Sequence, residues 1–248
     1  MLRFFAAREN ISDTEIIIDN EDVNHISRVL RLSEGDKITV CNGRGFDYTA
    51  EIAEIESKRI VCKIVEKHKS DTEPNIEVTL FQGLPKASKM DYIIQKTTEL
   101  GISKIAPCAL SRCVVKLENE KAERKKTERW QKIAESAAKQ SGRGVVPEIT
   151  APIRLDSAID MLKNCDICFA PYECEEKGSL KDVLLSKKNP KKIGFIIGPE
   201  GGFDISEIEK IKAAGIPLVT LGKRILRTET AGEAVLSMIM YEIGDINA

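Results

Sequence analysis

The sequence has only two histidines, His25 and His68, and they lie far apart. That is too few for a histidine metal cluster. The seven cysteines do not make up the shortfall. Cys165 and Cys168 form a CxxC with Cys174 close behind, but no second CxxC or paired histidine follows at a tetrahedral zinc spacing. They sit in an apolar, strand-like run and read as reduced core thiols. No metal is expected. No apolar run is long enough to span a bilayer. The opening "MLRFFAAREN" holds an apolar patch too short for a secretory signal. A cytoplasmic protein is expected. Two phosphate-binding signatures are also missing: no GK[ST] follows a glycine-rich turn, and no GxGxxG occurs.

What is present is an ordinary globular composition, 42% hydrophobic and 31% charged over 248 residues, enough for one large domain or two modest ones. The net charge of −1 is unevenly spread. Residues 1–71 carry 11 Lys/Arg against 14 Asp/Glu, whereas residues 84–146 carry 14 against 7. A basic block in a neutral chain is either a nucleic-acid footprint or the solvated face of a helix such as "ENEKAERKKTERWQK".

The first seventy residues read as mostly β. "DKITVCNG" and "FDYTAEIAEI" alternate around "NGRG", a hairpin signal, and "KRIVCKIVEK" alternates again. "NEDVNHISRVLRL" predicts a short amphipathic helix, and tight turns between short strands suggest a small barrel. "KSDTEPN" is the best linker, which places one domain at 1–72 and a second at 73–248. Beyond it, apolar strands ("IEVTLFQGL", "KIAPCAL", "CDICFAPY", "KIGFII", "LVTLG") alternate with helical segments, one running from about Glu118 to Gln140. That alternation predicts an α/β domain with a mostly parallel sheet and helices on both faces.

Four stretches carry candidate chemistry. "IIGPEGGFDISEIEKIKAAG" is a strand, a glycine turn and a helix, with Asp204 and Ser206 as possible N-caps and Gly215 as the stop. Its spacing is GxxGG, and Glu200 in the turn would repel a diphosphate but suit a cationic or neutral ligand. "LGKRILRTETAGEAVLSMIMYEIG" places Lys223, Arg224 and Arg227 before a helix that Thr228 or Thr230 could cap, an anion-friendly arrangement. Gly232 inside that helix costs about 1 kcal/mol relative to alanine. "GLPKASKMDYIIQKTTELGI" and "SRCVVKL" with "RWQKIAESAAKQSGRGVVPEI" add further cations, among them Lys116, Arg129 and Lys132.

In order and spacing, these stretches and the amino-terminal "HISRVLRLSEGDKITVCNGRGFDYTAEI" resemble the RsmE family of bacterial 16S rRNA methyltransferases over nearly the whole chain. "GPEGGF" followed by "RILRTETA" is the most specific part. The resemblance implies a SPOUT-type trefoil-knotted sheet behind a small PUA-like RNA-binding β-barrel. Topology rules alone would exclude the knot. It implies S-adenosylmethionine as methyl donor and N3 of a uridine in small-subunit 16S rRNA as target. It also implies a homodimer through the last helix, where Ala231, Ala234, Val235, Met238 and Ile239 form a small-apolar stripe.

Carried over position by position, the resemblance assigns the cofactor to three loops: Ala170 and Pro171; Ile197, Gly198, Pro199, Gly201 and Gly202; and Leu221, Gly222, Ile225, Leu226 and Thr228. Arg227 is the expected electrostatic stabiliser, and Glu200 or Glu229 the proton acceptor, a structural ion pair being an equal alternative for Glu229. RNA would be gripped by Arg28, Arg31, Arg44, Lys86, Lys89, Arg112, Lys139, Arg143, Lys223 and Arg224. Lys223, Gly232 and Glu233 depart from the family pattern. Competing readings are a non-catalytic RNA-binding protein, another SPOUT RNA methyltransferase and a Rossmann dinucleotide enzyme.

Overall fold

The computed structural model describes residues 3–114 and 119–246, so Lys116 and Glu118 lie outside the described residues. The chain divides into two compact units. The first comprises residues 1–73 and also takes in 138–146; the second comprises 74–137 and 147–248.

The first unit is a five-stranded sheet in the order β1-β3-β4-β5-β2. Its strands are β1 (Arg3–Phe5), β2 (Glu15–Ile18), β3 (Lys37–Cys41), β4 (Phe46–Ile55) and β5 (Ile60–Lys69). The β3-β4 and β4-β5 pairs are antiparallel, as the alternation predicts, while β1 runs parallel to β3. Period-two alternation sends Ile16, Ile18, Ile38, Val40, Ala50, Ile52, Ile60 and Cys62 into one core. The amphipathic segment after residue 20 differs from the expected helix. A single turn, α1 (Asp22–Asn24), passes into a π-helical turn over His25–Val29, which turns Val23 and Ile26 into that core. The segment 138–146 is tied in by the Glu73 carboxylate. It accepts from the backbone N–H groups of Gly144 and Val145 at 2.7 and 3.0 Å and pairs with Arg143 at 2.6 Å.

The second unit holds a seven-stranded sheet. Its strands are β6 (Glu77–Gly83), β7 (Lys104–Ala109), β8 (Glu148–Ile149), β9 (Ile153–Arg154), β10 (Ile167–Pro171), β11 (Lys192–Ile197) and β12 (Leu218–Val219). The order is β12-β10-β11-β6-β7-β8, with β9 also on β7, and every described pairing is parallel. The helices are α2 (Lys89–Glu99), α3 (Glu120–Gln140), α4 (Leu155–Lys163), α5 (Leu180–Leu185), α6 (Ile205–Ala213) and α7 (Thr228–Glu242).

The parallel strands are apolar on both faces because both are covered. Phe81 and Ile196 are paired in register and face the layer built by Leu155, Ala158 and Leu162 of α4 with Ile208 and Ile211 of α6. One residue back along each strand, Leu80, Phe195 and Phe169 form the opposite row, where the two phenylalanine rings stack at 5.9 Å. Leu80 lies under Gly232 of α7 on that side.

The small-apolar stripe of α7 splits between two faces. Ala231, Val235 and Ile239, spaced by four, are buried, while Ala234 and Met238 turn outward. The chain reaches β12, β10 and β11 on one side of β6 and β7, β8 and β9 on the other, so strand order reverses at the centre. Ligands in open parallel sheets collect at the carboxyl ends of strands beside such a reversal.

Candidate active site

At the carboxyl ends of β10, β11 and β12 three loops enclose a cleft of about 380 Å³. The first wall is residues 171–173, the second is residues 197–200 with Gly202 and Phe203, and the third is residues 220–228, with Lys89 and Ala231 completing the lining. Each wall follows from its local chemistry. After β11 the glycines let the chain fold back tightly: Gly202 has a φ of +68° and its N–H bonds to Pro199 O at 2.9 Å. A Cβ built on Gly202 would meet only the movable carboxylate end of Glu173, so it is the positive φ that calls for glycine here. Asp204 then caps α6 with a full capping box, its side chain accepting from Ser206 N while Glu207 accepts from Asp204 N. Of the two possible caps read from sequence, Asp204 is the one used.

The start of α7 differs from expectation. Neither Thr228 nor Thr230 caps it; Arg227 occupies the N-cap with extended backbone and no side-chain cap bond. Thr228 is the first helical residue and is 6% exposed. Its hydroxyl donates to Gly198 O at 2.6 Å and accepts from Nε2 of Gln82 at 2.9 Å. Arg227 is exposed and lines the cleft together with Lys223 and Arg224.

The two carboxylates expected as proton acceptors are held apart by one amine. Lys89 Nζ, at the start of α2, lies 3.2 Å from Oε1 of Glu200 and 3.2 Å from Oε2 of Glu229. Glu200 also accepts from the backbone N–H of Lys86 at 3.0 Å. Burial pushes the Glu200 carboxyl up. The hydrogen bonds from Lys86 and from its own N–H, with Lys89, outweigh burial and leave it below the usual carboxylate range. The hydrogen bond that it donates to Glu200 raises the Lys89 ammonium above its ordinary value, so this amine is a cation at neutral pH. Glu200 lines the cleft; Glu229 does not, and reaches it only through Lys89.

Of the twelve residues expected to hold a cofactor, the cleft takes in all but Ala170 and Gly201. Ala170 is fully buried in β10, one residue short of the opening. Gly201 turns its carbonyl to Nη1 of Arg112 at 3.0 Å. That contact gives Arg112, expected on RNA, a place bracing the glycine turn, with Asp204 3.5 Å from its other nitrogen.

Among the described residues, none of the remaining basic ones is in the lining of the cleft. Lys139 and Arg143 belong to the first unit, where they pair with Asp22 at 3.0 Å and Glu73 at 2.6 Å. Arg143 is only 4% exposed, which does not fit the expected RNA-facing position. Arg28, Arg31 and Arg44 also lie in the first unit; Arg31 has a φ of +53°. In the second unit Arg129 makes a bidentate pair with Asp91 at 2.6 and 2.8 Å.

Gln82 was not singled out from sequence. It is fully buried at the end of β6, and the only signal for it was a polar residue inside the apolar run "IEVTLFQGL". Among the described residues no group of three or more His, Cys, Asp or Glu is placed to share a metal ion, and no helix is long and apolar enough to cross a membrane.

Residues 72–240 match the family model of an RNA methyltransferase domain, and residues 18–65 that of an RNA methyltransferase PUA domain. The ribosomal RNA small subunit methyltransferase E of Bacillus subtilis (strain 168) is 36% identical over 229 residues, covering 91% of this chain and 89% of that protein. The protein of the same name from Mesomycoplasma hyopneumoniae (strain 232) is 32% identical, covering 96% and 98%. A crystal structure of the Neisseria gonorrhoeae ribosomal RNA small subunit methyltransferase E bound to S-adenosyl methionine superposes with a TM-score of 0.86 at 33% identity, covering 99% of each chain. With its parallel sheet, its three-walled cleft and these matches along both units, the chain belongs to the ribosomal RNA small subunit methyltransferase E (RsmE) family.

Proposed function

We propose that this protein methylates N3 of a uridine in small-subunit 16S rRNA, using S-adenosylmethionine held in the cleft. The observation that carries the reading is the cleft itself. It unites "GPEGGF" and "RILRTETA", two stretches apart in sequence, beyond the carboxyl ends of β11 and β12, the parallel strands on either side of β10.

The lining fits a sulfonium cofactor. Gly198, Gly202 and Gly222 leave backbone accessible, Ile197, Leu221, Ile225 and Leu226 offer apolar contact, and the carboxylates of Glu173 and Glu200 favour a cation. Ile225 is 85% exposed, an apolar side chain left at the rim where a ligand would cover it. A relative of 33% identity is known with S-adenosyl methionine bound.

When bound, S-adenosylmethionine supplies an electrophilic methyl group. The residues of this chain do the rest. Uridine N3 must lose its proton, and the charge left on O2 and O4 needs a fixed cation. Arg227, exposed at the cleft and anchored at the helix start, is placed to supply it. Lys223 and Arg224 on the same wall take RNA phosphates. Glu200 is the better-placed proton acceptor, because it lines the cleft and Glu229 does not. Its lowered pKa keeps it ionised at neutral pH, the form that can accept a proton. Lys89 keeps the Glu200 carboxylate aimed and compensates the charge of Glu229 behind it.

Three finer features belong to the same proposal. The loops around β10, β11 and β12 form the trefoil knot of the SPOUT class. The first unit is the PUA-like RNA-binding barrel. The protein is a cytoplasmic homodimer through the outer face of α7, where Met238 and Tyr241 are 43% and 60% exposed beside an apolar groove lined by Leu180, Leu184 and Ala234. The test is to incubate the purified protein with unmethylated small subunits and S-adenosylmethionine, then map the rRNA by mass spectrometry. One added methyl on a single uridine, resistant to pairing at N3, is expected. An unmodified rRNA, or a methyl on ribose or on another base, rejects the reading.

A further inference from the structure

Gln82 lies outside the cleft's lining and its amide is fully buried. Its Nε2 donates to Gly83 O at 3.1 Å and to the Thr228 hydroxyl at 2.9 Å. Two acceptors on the same side fix which end of the amide faces them: only the NH₂ can serve both. Thr228 has a single hydroxyl proton, and it goes to Gly198 O at 2.6 Å. Oε1 of Gln82 is then buried without a hydrogen-bond partner. A buried acceptor left unsatisfied is costly, so an arrangement that keeps it needs a reason elsewhere. The side chain is oriented for Thr228 and not for its own oxygen.

The chain of bonds runs from β6 through the first residue of α7 to the turn after β11. It joins the second and third walls of the cleft. Gly83 completes the fit, since a Cβ there would lie 2.6 Å from Pro199 N. The turn's other anchors are separate: Gly202 N on Pro199 O, Arg112 on Gly201 O, and Lys86 N on the Glu200 carboxylate. Gly198 O is therefore held by Thr228.

We propose that Gln82 is a positioning residue for the cofactor cleft. By committing the Thr228 hydroxyl as a donor to Gly198 O, it sets the spacing between the glycine turn and the "RILRTET" loop that a bound S-adenosylmethionine requires. This rests on the reading of the cleft given above. It also assigns Thr228 a second role, that of a bridge between walls whose hydroxyl is already spent on protein.

The test is isothermal titration of S-adenosylmethionine into the folded protein without RNA, well below each variant's melting temperature. Gln82→Met keeps the volume and removes both donors. At least a tenfold rise in Kd is expected. Thr228→Val should match it, and Thr228→Ser should stay near the parent. The double variant should be no worse than either single one, because both cut one chain. Gln82→Glu supplies a signature that a merely structural role would not move. Its neutral acid can donate to Thr228 as the amide does, whereas its carboxylate draws the hydroxyl proton away from Gly198 O. Binding by Gln82→Glu should therefore weaken as pH rises through that carboxyl's titration, relative to the parent at each pH. A Kd within twofold of the parent in Gln82→Met overturns the proposal. If Gln82→Met does not fold, equal binding by Thr228→Val and Thr228→Ser overturns it. Failure of the unaltered protein to bind S-adenosylmethionine overturns the reading of the cleft, and this proposal with it.

Discussion

Two glycines of the second unit should respond in opposite directions to the same added methyl group. Gly232 is the fifth residue of α7. A Cβ there would meet Gln82 Oε1 at 3.6 Å and Leu80 Cδ2 at 3.7 Å, both ordinary van der Waals distances. The methyl enters without strain and deprives no atom of a hydrogen bond, because that oxygen has no partner to lose. What remains is helix propensity, about 1 kcal/mol in favour of alanine. For a domain of this size that corresponds to a rise in Tm of about 2–4 °C. Gly83 is the opposite case. Its Cβ would lie 2.6 Å from Pro199 N, 2.8 Å from Pro199 Cδ and 2.9 Å from Gly198 C, with no flexible side-chain end among them. The turn after β11 must move, and overpacking of this kind costs roughly 1–3 kcal/mol. Gly83→Ala should therefore lower Tm by several degrees and weaken S-adenosylmethionine binding, because the displaced atoms line the cleft. Differential scanning calorimetry of the two variants beside the parent reads both signs. A fall in Tm for Gly232→Ala, or an unchanged Tm for Gly83→Ala, would refute the packing described around Gln82.

Arg227→Ala should abolish methylation in a single-turnover assay while changing the Kd for S-adenosylmethionine by less than about threefold, since the residue is exposed at the cleft and caps α7 only through its backbone. Retained turnover would remove Arg227 from the mechanism. Arg143→Met leaves the Glu73 carboxylate partly buried with two backbone donors. The loss should fall toward the lower end of roughly 3–5 kcal/mol in urea unfolding, with no change in the salt slope of RNA binding. A reduced salt slope with unchanged stability would restore Arg143 to an RNA contact. Glu233, on α7, has its carboxyl raised by burial, against the hydrogen bond from Tyr92 and the charge of Lys96. A carboxyl raised by folding contributes stability below its unfolded pKa, and that contribution is lost as pH rises through the folded value. Glu233→Gln should therefore raise Tm at pH 7 and have little effect at pH 4; the reverse dependence would contradict the burial argument.

The architecture was legible because period and punctuation agree in this chain. Four strands of the second unit, β6, β7, β10 and β11, announce themselves as apolar runs of five to seven residues such as "KIGFII", and both of their faces are covered; β8 and β9, two residues each, give no such signal. "NGRG" forecasts the β3-β4 hairpin, and Asn42 Oδ1 accepts from Arg44 N and Phe46 N to hold that turn. Less was legible where a backbone choice depends on distant contacts. The segment after residue 20 has helical composition, but its π-helical turn is set by where Val23 and Ile26 must land in the first unit's core. The cap of α7 was misplaced for a similar reason. Thr228 has the chemistry of a cap, but Gly198 O and Gln82 claim its hydroxyl from across the sheet.

Charge was the least reliable guide, and the reason is physical. A lysine or arginine in sequence is a cation without a partner; in the fold it seeks one. Lys139, Arg143, Arg129 and Lys89 all sit opposite carboxylates. Arg112 is engaged with the glycine turn. The exposed cations on the third wall of the cleft are those of a segment too short and too crowded with them to pair internally: Lys223, Arg224 and Arg227 within five residues. That density concentrates the cleft's positive potential on one wall, with Glu173 and Glu200 on the other two. A cationic cofactor and an anionic substrate call for opposite fields, and a single cleft can serve both only if the two signs lie on different walls. The same separation predicts how binding depends on salt. RNA affinity should fall steeply with ionic strength, because the proposed role of the third wall is to meet phosphates, which releases counterions. S-adenosylmethionine affinity should change little between about 50 and 300 mM salt, read by titration, because the proposed contacts to that ligand are mostly backbone and apolar side chains. Equal salt slopes for the two ligands would mean that the walls do not divide the work in this way.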